Sequence, residues 1–176
     1  MINRWNQINL IVTVIMTMSL LGCQSTTMTQ APLPDPQNVS LAIEDLAGNP
    51  AKLKNGSFEG DHLTVQILKS AVGDLNQDGL ADMVITILEN TGGSGNFRDL
   101  CLLLNRDGKL AHVDSVTLGD RIEITSLTLN GEIITVRYLD RKPTEPFAVK
   151  PTVQKKVRYR VQKGKLKKIT ELKLGQ

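Results

Sequence analysis

From residue 39 onward, apolar positions come in short segments separated by Gly, Asn and Asp, and no stretch sustains a 3.6-residue repeat. That pattern predicts strands. Residues 63–72 alternate loosely, whereas Met83-Val84-Ile85-Thr86-Ile87-Leu88 is apolar on both faces, which predicts a central strand covered on each side. Residues 97–104 form a second segment of this kind, turned by Asn105-Arg106-Asp107-Gly108 into a strand over 110–118. Ile122-Glu123-Ile124 and Leu127-Thr128-Leu129 change the phase of alternation near Ser126, which predicts a bulge. Asn130-Gly131 predicts a hairpin through a type I′ turn, which needs two positive φ values, with residues 133–139 returning. Residues 140–151 carry Pro143, Pro146 and Pro151 and predict a long stiff loop. Val157, Tyr159 and Val161 then alternate with polar residues, and Lys163-Gly164 turns the chain into a last strand over 166–172. The expected fold is all-β. About eight or nine antiparallel strands form a meander that must hide its edges as a curled sheet, a sandwich or a partly closed barrel.

The first residues follow a different rule. Arg4 precedes an apolar run over 8–21, shorter than the ~20 residues a bilayer-spanning helix needs, so residues 1–22 read as an export signal. The run ends in Leu20-Leu21-Gly22-Cys23, which resembles the lipobox of bacterial lipoproteins. The resemblance implies cleavage before Cys23, a diacylglyceryl thioether on its sulfur, and acylation (palmitate or a similar chain) of the new amino group. Gln24 is not the Asp that retains many lipoproteins at the inner membrane. The implied address is the bacterial cell envelope, lipid-anchored at the outer membrane and facing the periplasm. Each buried methylene contributes about 0.8 kcal/mol, so several acyl chains anchor stably where one does not. Residues 23–38, with Pro32, Pro34 and Pro36, read as a tether, and residues 39–176 as a single domain.

Composition narrows the chemistry. Two cysteines and two histidines in 176 residues exclude a disulfide-stapled scaffold, a thiolate zinc site and imidazole-rich metal chemistry. The net charge of +3 hides an uneven distribution: residues 150–176 hold ten Lys or Arg against one acid, and residues 23–149 hold ten against seventeen. In the C-terminal hairpin, residues 150–173, alternation puts Lys156, Arg158 and Arg160 on one side. Such a row either defends an edge against strand pairing or offers a face to anionic lipid head groups or envelope polymer. Nucleic acid is excluded by the expected address, and only Tyr159 would offer a stacking ring there.

The most specific chemical signal is Gly73-Asp74-Leu75-Asn76-Gln77-Asp78-Gly79-Leu80-Ala81-Asp82. Calcium takes six or more oxygens, and Asp74, Asn76 and Asp78 fall at positions 1, 3 and 5 of a calcium-type loop. Gly79 permits the sharp turn, Leu80 would give its carbonyl and Asp82 a direct or water-bridged oxygen. Position 12 is Ile85, so the bidentate Glu of an EF-hand is missing. A loop of this spacing followed by a strand resembles the calcium loops of FG-GAP and VCBS repeats, although those repeats recur around a propeller and this one occurs once. The alternative is an acidic turn satisfied by its own backbone amides.

Over a longer span the chain resembles a group of bacterial envelope proteins to which no activity attaches. The shared signposts are residues 73–88, Gly92-Gly93-Ser94-Gly95, Leu118-Gly119-Asp120-Arg121 and Asp140-Arg141-Lys142-Pro143-Thr144-Glu145-Pro146-Phe147. In the last of these, charges of both signs are held by prolines beside an aromatic ring. Asp140, Arg141, Glu145 and Phe147 therefore form a candidate recognition loop, or else a stiff crossover in which Asp140 and Arg141 pair locally.

Catalytic signals are weak. Cys101 and His112 fall on neighbouring predicted strands, with Cys101 expected opposite a residue near Val113, and a buried inert thiol is the simpler reading. The sequence thus points to a non-enzymatic, calcium-stabilised binding module of the envelope, with no catalytic residue and with structural calcium as the expected cofactor. Two alternatives stand beside it: an envelope hydrolase assembled from loop residues, and a periplasmic inhibitor lipoprotein. A cleft lined by Asp120, Arg121, Asp140, Arg141 and Glu145 would favour the enzyme.

Overall fold

The computed structural model describes residues 35–43, 50–93 and 95–174. The expected signal peptide, Cys23 and the tether as far as residue 34 lie outside the described residues. The strands among them are β1 (Ser40–Leu41), β2 (Ala51–Lys52), β3 (Ser57–Glu59), β4 (Thr64–Gly73), β5 (Asp82–Asn90), β6 (Phe97–Arg106), β7 (Lys109–Asp120), β8 (Glu123–Asn130), β9 (Ile133–Asp140), β10 (Val153–Gln162) and β11 (Lys165–Leu174).

All pairings are antiparallel. They make a two-stranded piece, β1-β2, a five-stranded sheet in the order β3-β4-β5-β6-β7, and a four-stranded sheet in the order β11-β10-β9-β8. The eight long strands from β4 to β11 are the expected meander. It breaks between β7 and β8 into two sheets, and no barrel closes. The three short strands at the start left no alternation long enough to read.

Two apolar layers follow from the period of two along a strand. Val84, Leu100, Leu102 and Leu104 pack against Leu127, Val136, Tyr138, Val157 and Tyr159 of the four-stranded sheet. The intervening residues, Met83, Ile85, Ile87, Cys101 and Leu103, pack on the opposite face against Val39, Leu41, Ala51 and Leu53. This is why β5 and β6 are apolar on both sides. At Leu68 the pairing of β4 with β5 slips by one residue, so Val65 and Ile67 face the second layer while Ala71 reaches the first. The loose alternation over 63–72 is that bulge. The bulge expected near Ser126 lies between Ile124 and Ser126.

Turn geometry corrects one expectation. The hairpin at Asn130-Gly131 exists, but Asn130 is still paired with Ile133, and Gly131 (φ 55°) and Glu132 are the central residues. Glu132 is not among the positive-φ residues, so the turn is not type I′; a glycine at the first central position is what the II′ family uses. Two consecutive positive φ values occur instead at Asn55-Gly56, Asp107-Gly108 and Lys163-Gly164.

Residues 35–38 are attached to the domain. Pro36–Asn38 form a 3-10 turn capped by Asp35, whose Oδ1 accepts the Gln37 amide at 2.9 Å, and the Gly56 amide donates to Gln37 O at 2.9 Å. Among the described residues no helix is long and apolar enough to cross a membrane.

Candidate functional site

The ends of β7, β9 and β10 and the proline loop between β9 and β10 enclose a cleft of about 800 Å³. Its lining includes Asp120, Asp140, Arg141, Glu145, Phe147 and Lys155, which brings the expected recognition loop together with residues far apart in sequence. Arg121 reaches the same place by stacking its guanidinium over the Phe147 ring, 4.7 Å from the centroid. Phe147 is 61% exposed, so the ring faces solvent, while the Arg121 side chain on it is only 25% exposed.

The loop is braced from several sides. Arg141 Nη1 donates to Arg121 O at 2.9 Å and its Nε donates to Val149 O. The Lys142 amide donates to Glu145 Oε2, the Glu145 amide to Lys142 O, the Val149 amide to Pro146 O and the Thr152 amide to Asp140 O. Asp140 does not pair with the Arg141 guanidinium, contrary to the local pairing considered above. It accepts the Arg141 amide at 2.7 Å and forms an ion pair with Lys155 Nζ at 2.7 Å. Burial pushes the Asp140 carboxyl up, but the Lys155 hydrogen bond, the Arg141 amide and their charges outweigh it and hold it below the usual carboxylate range. Asp120 is similarly committed: Oδ1 accepts the Asn96 amide at 2.7 Å and Oδ2 meets Arg121 Nη1 at 3.1 Å. Glu145 faces Lys142 at 3.9 Å. Each of these cleft carboxylates therefore has a cation beside it.

Lys155 and Lys173 also line the cleft, and sequence reasoning missed both. Lys155 lies on the same side of β10 as the core residues Val157 and Tyr159. Its ammonium sits between Asp140 and Glu171, and 5.9 Å from the centre of the Tyr138 ring.

The acidic loop, residues 74–82, connects β4 to β5. Leu75 is buried in the first apolar layer and pins the loop from within. Asp74, Asn76, Asp78 and Leu80 are exposed, and Gln77 (φ 63°) and Gly79 (φ 85°) supply the left-handed backbone. The Asp78 amide is shared by Asp74 Oδ1 (3.2 Å) and Asn76 Oδ1 (3.1 Å), the Gly79 amide bonds Asp74 Oδ2 (3.0 Å), and the Leu80 amide bonds Asp78 Oδ1 (2.8 Å). Backbone amides thus gather these oxygens. Among the described residues no three His, Cys, Asp or Glu side chains are grouped as a metal centre. Asp82 differs from the rest: it is fully buried, with Oδ2 accepting the Leu75 amide at 2.9 Å and Oδ1 the Asn105 amide at 2.8 Å.

Lys156, Arg158 and Arg160 do share the outer side of the four-stranded sheet. Register adds Arg137, opposite Lys156 on β9, and Lys167, opposite Arg160 on β11. Arg158 first, then burial and Arg137, hold the Lys156 ammonium below the ordinary lysine range, the mark of like charges crowded together. Arg160 has Glu132 at 3.9 Å.

Cys101 lies opposite Ser115, not near Val113, because the turn is centred on Asp107-Gly108 and a register slip between Leu102 and Leu103 moves the pairing one residue further. Ser115 Oγ bridges Cys101 and His112, 3.3 Å from Cys101 Sγ and 2.7 Å from His112 Nε2. Burial pushes the thiol up to about 12, so no thiolate nucleophile forms near neutral pH.

Comparisons with protein-family models, with curated proteins and with solved structures found no match to this chain.

Proposed function

We propose that this chain is a non-enzymatic binding lipoprotein of the bacterial cell envelope, with the cleft beside Phe147 as its ligand seat. In this reading Cys23 carries the acyl chains, the protein faces the periplasm from the outer membrane, and the domain presents its cleft to a soluble or polymeric envelope ligand.

The observation that carries the reading is the braced cleft itself. A solvent-facing aromatic ring with a guanidinium on it, framed by fixed charges of both signs, is suited to a ligand that combines an apolar face with charged groups. The same cleft was the condition set for an enzyme, and it keeps a hydrolase as the second reading. The state of its carboxylates favours binding: Asp120 and Asp140 are each held by a backbone amide and a cation.

Calcium is the proposed guest of the acidic loop. The donors of Asp74, Asn76, Asp78 and the Leu80 carbonyl are oxygens only, as a hard cation requires, and each side-chain oxygen on a backbone amide keeps a second lone pair. Asp82 would hold the loop to the sheet. The row Lys156, Arg158 and Arg160 is the proposed contact to anionic lipid head groups or envelope polymer.

The test is sedimentation of the full chain with isolated cell-wall polymer, scored for binding and for released fragments. Retention that falls at least about fivefold in Phe147→Ala, without fragment release, is expected. Fragment release lost in Asp120→Asn or Asp140→Asn would instead establish the hydrolase. Cys23→Ser is expected to abolish labelling by radioactive palmitate. Melting in millimolar calcium is expected to shift upward in the wild type and not in Asp78→Ala.

A further inference from the structure

The outer side of the four-stranded sheet gathers more charge than the row on β10 alone. Lys156, Arg158 and Arg160 alternate there with the buried Val157 and Tyr159. Opposed residues share a face. Register sets Arg137 of β9 directly against Lys156, and Lys167 of β11 directly against Arg160. Thr135 and Thr170 flank Arg158 and bring hydroxyl groups between the cations. Two like-charge pairs placed directly opposite each other work against the sheet. Acids offset them little: among the described residues Glu132, 3.9 Å from Arg160 Nε, is the one carboxylate in ion-pair contact with any of the five. The two side chains of that pair are 46% and 40% exposed, so solvent screens it.

Position in the sheet decides between edge defence and binding. Cations guard a sheet edge when they stand on an edge strand. The strand order is β11-β10-β9-β8, so β9 and β10 are interior strands, and Arg137, Lys156, Arg158 and Arg160 guard no edge. Of the five, Lys167 alone stands on an edge strand. The face is thus open to a partner of opposite charge.

Shape and placement select among anionic partners. Neighbouring strands of a twisted sheet rotate by about 20–25°, so the side chains of β9 and β11 splay by roughly 45° and do not share a plane. A planar bilayer would meet one row at a time, whereas a flexible chain follows the twist. The nearby aromatic rings, Tyr138 and Tyr159, are buried on the inner side, where they cannot enter a bilayer. The described chain also begins on the far side of the domain: Val39 and Leu41 pack on the face of the five-stranded sheet turned away from the four-stranded one. An acyl anchor at Cys23 would draw that far side, not the basic face, toward its bilayer.

We propose that the basic face binds a linear polyanion of the envelope, an unbranched polymer with a phosphate or carboxylate on each repeat, laid along β10 from Lys156 to Arg160. Successive cations of that row stand about 7 Å apart along the strand, and an Arg fork can take two oxygens of one oxyanion. The inference rests on the reading of the chain as an envelope-binding lipoprotein, and it selects polymer over lipid for the basic row.

The experiment uses the full chain in phosphatidylcholine vesicles, with fluorescent long-chain polyphosphate and poly-L-glutamate as probes. At least one is expected to bind, the tighter naming the oxyanion, and to be released as salt is raised. Arg158→Gln with Arg160→Gln, both at exposed positions, is expected to weaken that probe at least about tenfold. Lys52→Gln with Lys109→Gln removes the same charge from exposed positions on β2 and β7, and is expected to change binding less than about twofold. Phe147→Ala is expected to leave the probe bound as in the wild type, so a failure of the cleft as ligand seat shows in a different variant. Protein-free phosphatidylglycerol vesicles, at equal anionic charge, are expected to compete at least about tenfold less well than unlabelled polymer. Binding of neither probe, or an equal loss in the two double variants, would overturn the proposal. Phosphatidylglycerol vesicles that compete as well as the polymer would overturn it in favour of a membrane.

Discussion

Removing the Asp82 carboxylate is expected to be among the most damaging single changes outside the apolar core. The side chain is fully buried and accepts two main-chain amides, Leu75 at 2.9 Å and Asn105 at 2.8 Å. It thereby ties the start of the acidic loop to the end of β6. Asn105 continues the chain of bonds, donating to Ala81 O at 3.1 Å and accepting the Gly108 amide at 2.9 Å at the next turn. Asp82→Ala leaves two buried amides without an acceptor. Each unsatisfied buried group costs about 1–3 kcal/mol, so the loss is roughly 2–6 kcal/mol. That is a large share of the ~5–15 kcal/mol that holds a domain folded. At about 3 °C per kcal/mol for a domain of this size, Tm should fall by about 6–18 °C. Asp82→Asn retains one acceptor and turns an NH₂ toward the other amide, so its loss should lie between wild type and Asp82→Ala. Asp78→Ala removes acceptors only from exposed groups, Leu80 N and Asn76 Nδ2, and should cost less than about 1 kcal/mol. Urea unfolding followed by circular dichroism, without calcium, measures all three. An Asp82→Ala protein within about 1 kcal/mol of wild type would refute the argument that these amides depend on Asp82.

Thr86 is fully buried and its Oγ1 has no hydrogen-bond partner among the described residues, so Thr86→Val should raise stability by about 1 kcal/mol in the same melts. Leu41, with no exposed surface, belongs to the N-terminal cover of the second layer, and Leu41→Ala should cost about 2–5 kcal/mol although the strand has only two residues. His112 titrates lower in the folded state than its ordinary 6.5, so the unfolded chain takes up the proton first. Stability should therefore fall as pH drops below about 6.5, and His112→Gln should flatten that limb in denaturant melts at stepped pH.

The sequence by itself determined the class and the order of the long strands, because a period of two and a glycine at a tight turn are local properties. The double-sided apolar runs of β5 and β6 announced two covering layers, and the phase change at Ser126 announced the bulge. The spacing of Asp74, Asn76 and Asp78 was likewise readable, since those oxygens gather within one turn of chain. Register was not readable. The slip between Leu102 and Leu103 in the β6-β7 ladder decided that Cys101 meets Ser115, and cross-strand pairing alone put Arg137 beside Lys156. Asp82 was legible as an acid in a loop, but its burial against Asn105, 23 residues away, depends on where β6 ends. The cleft, with Arg121 on Phe147, arose only when the meander broke into two sheets. Long-range packing sets which charges are desolvated together, and local pattern carries no record of that.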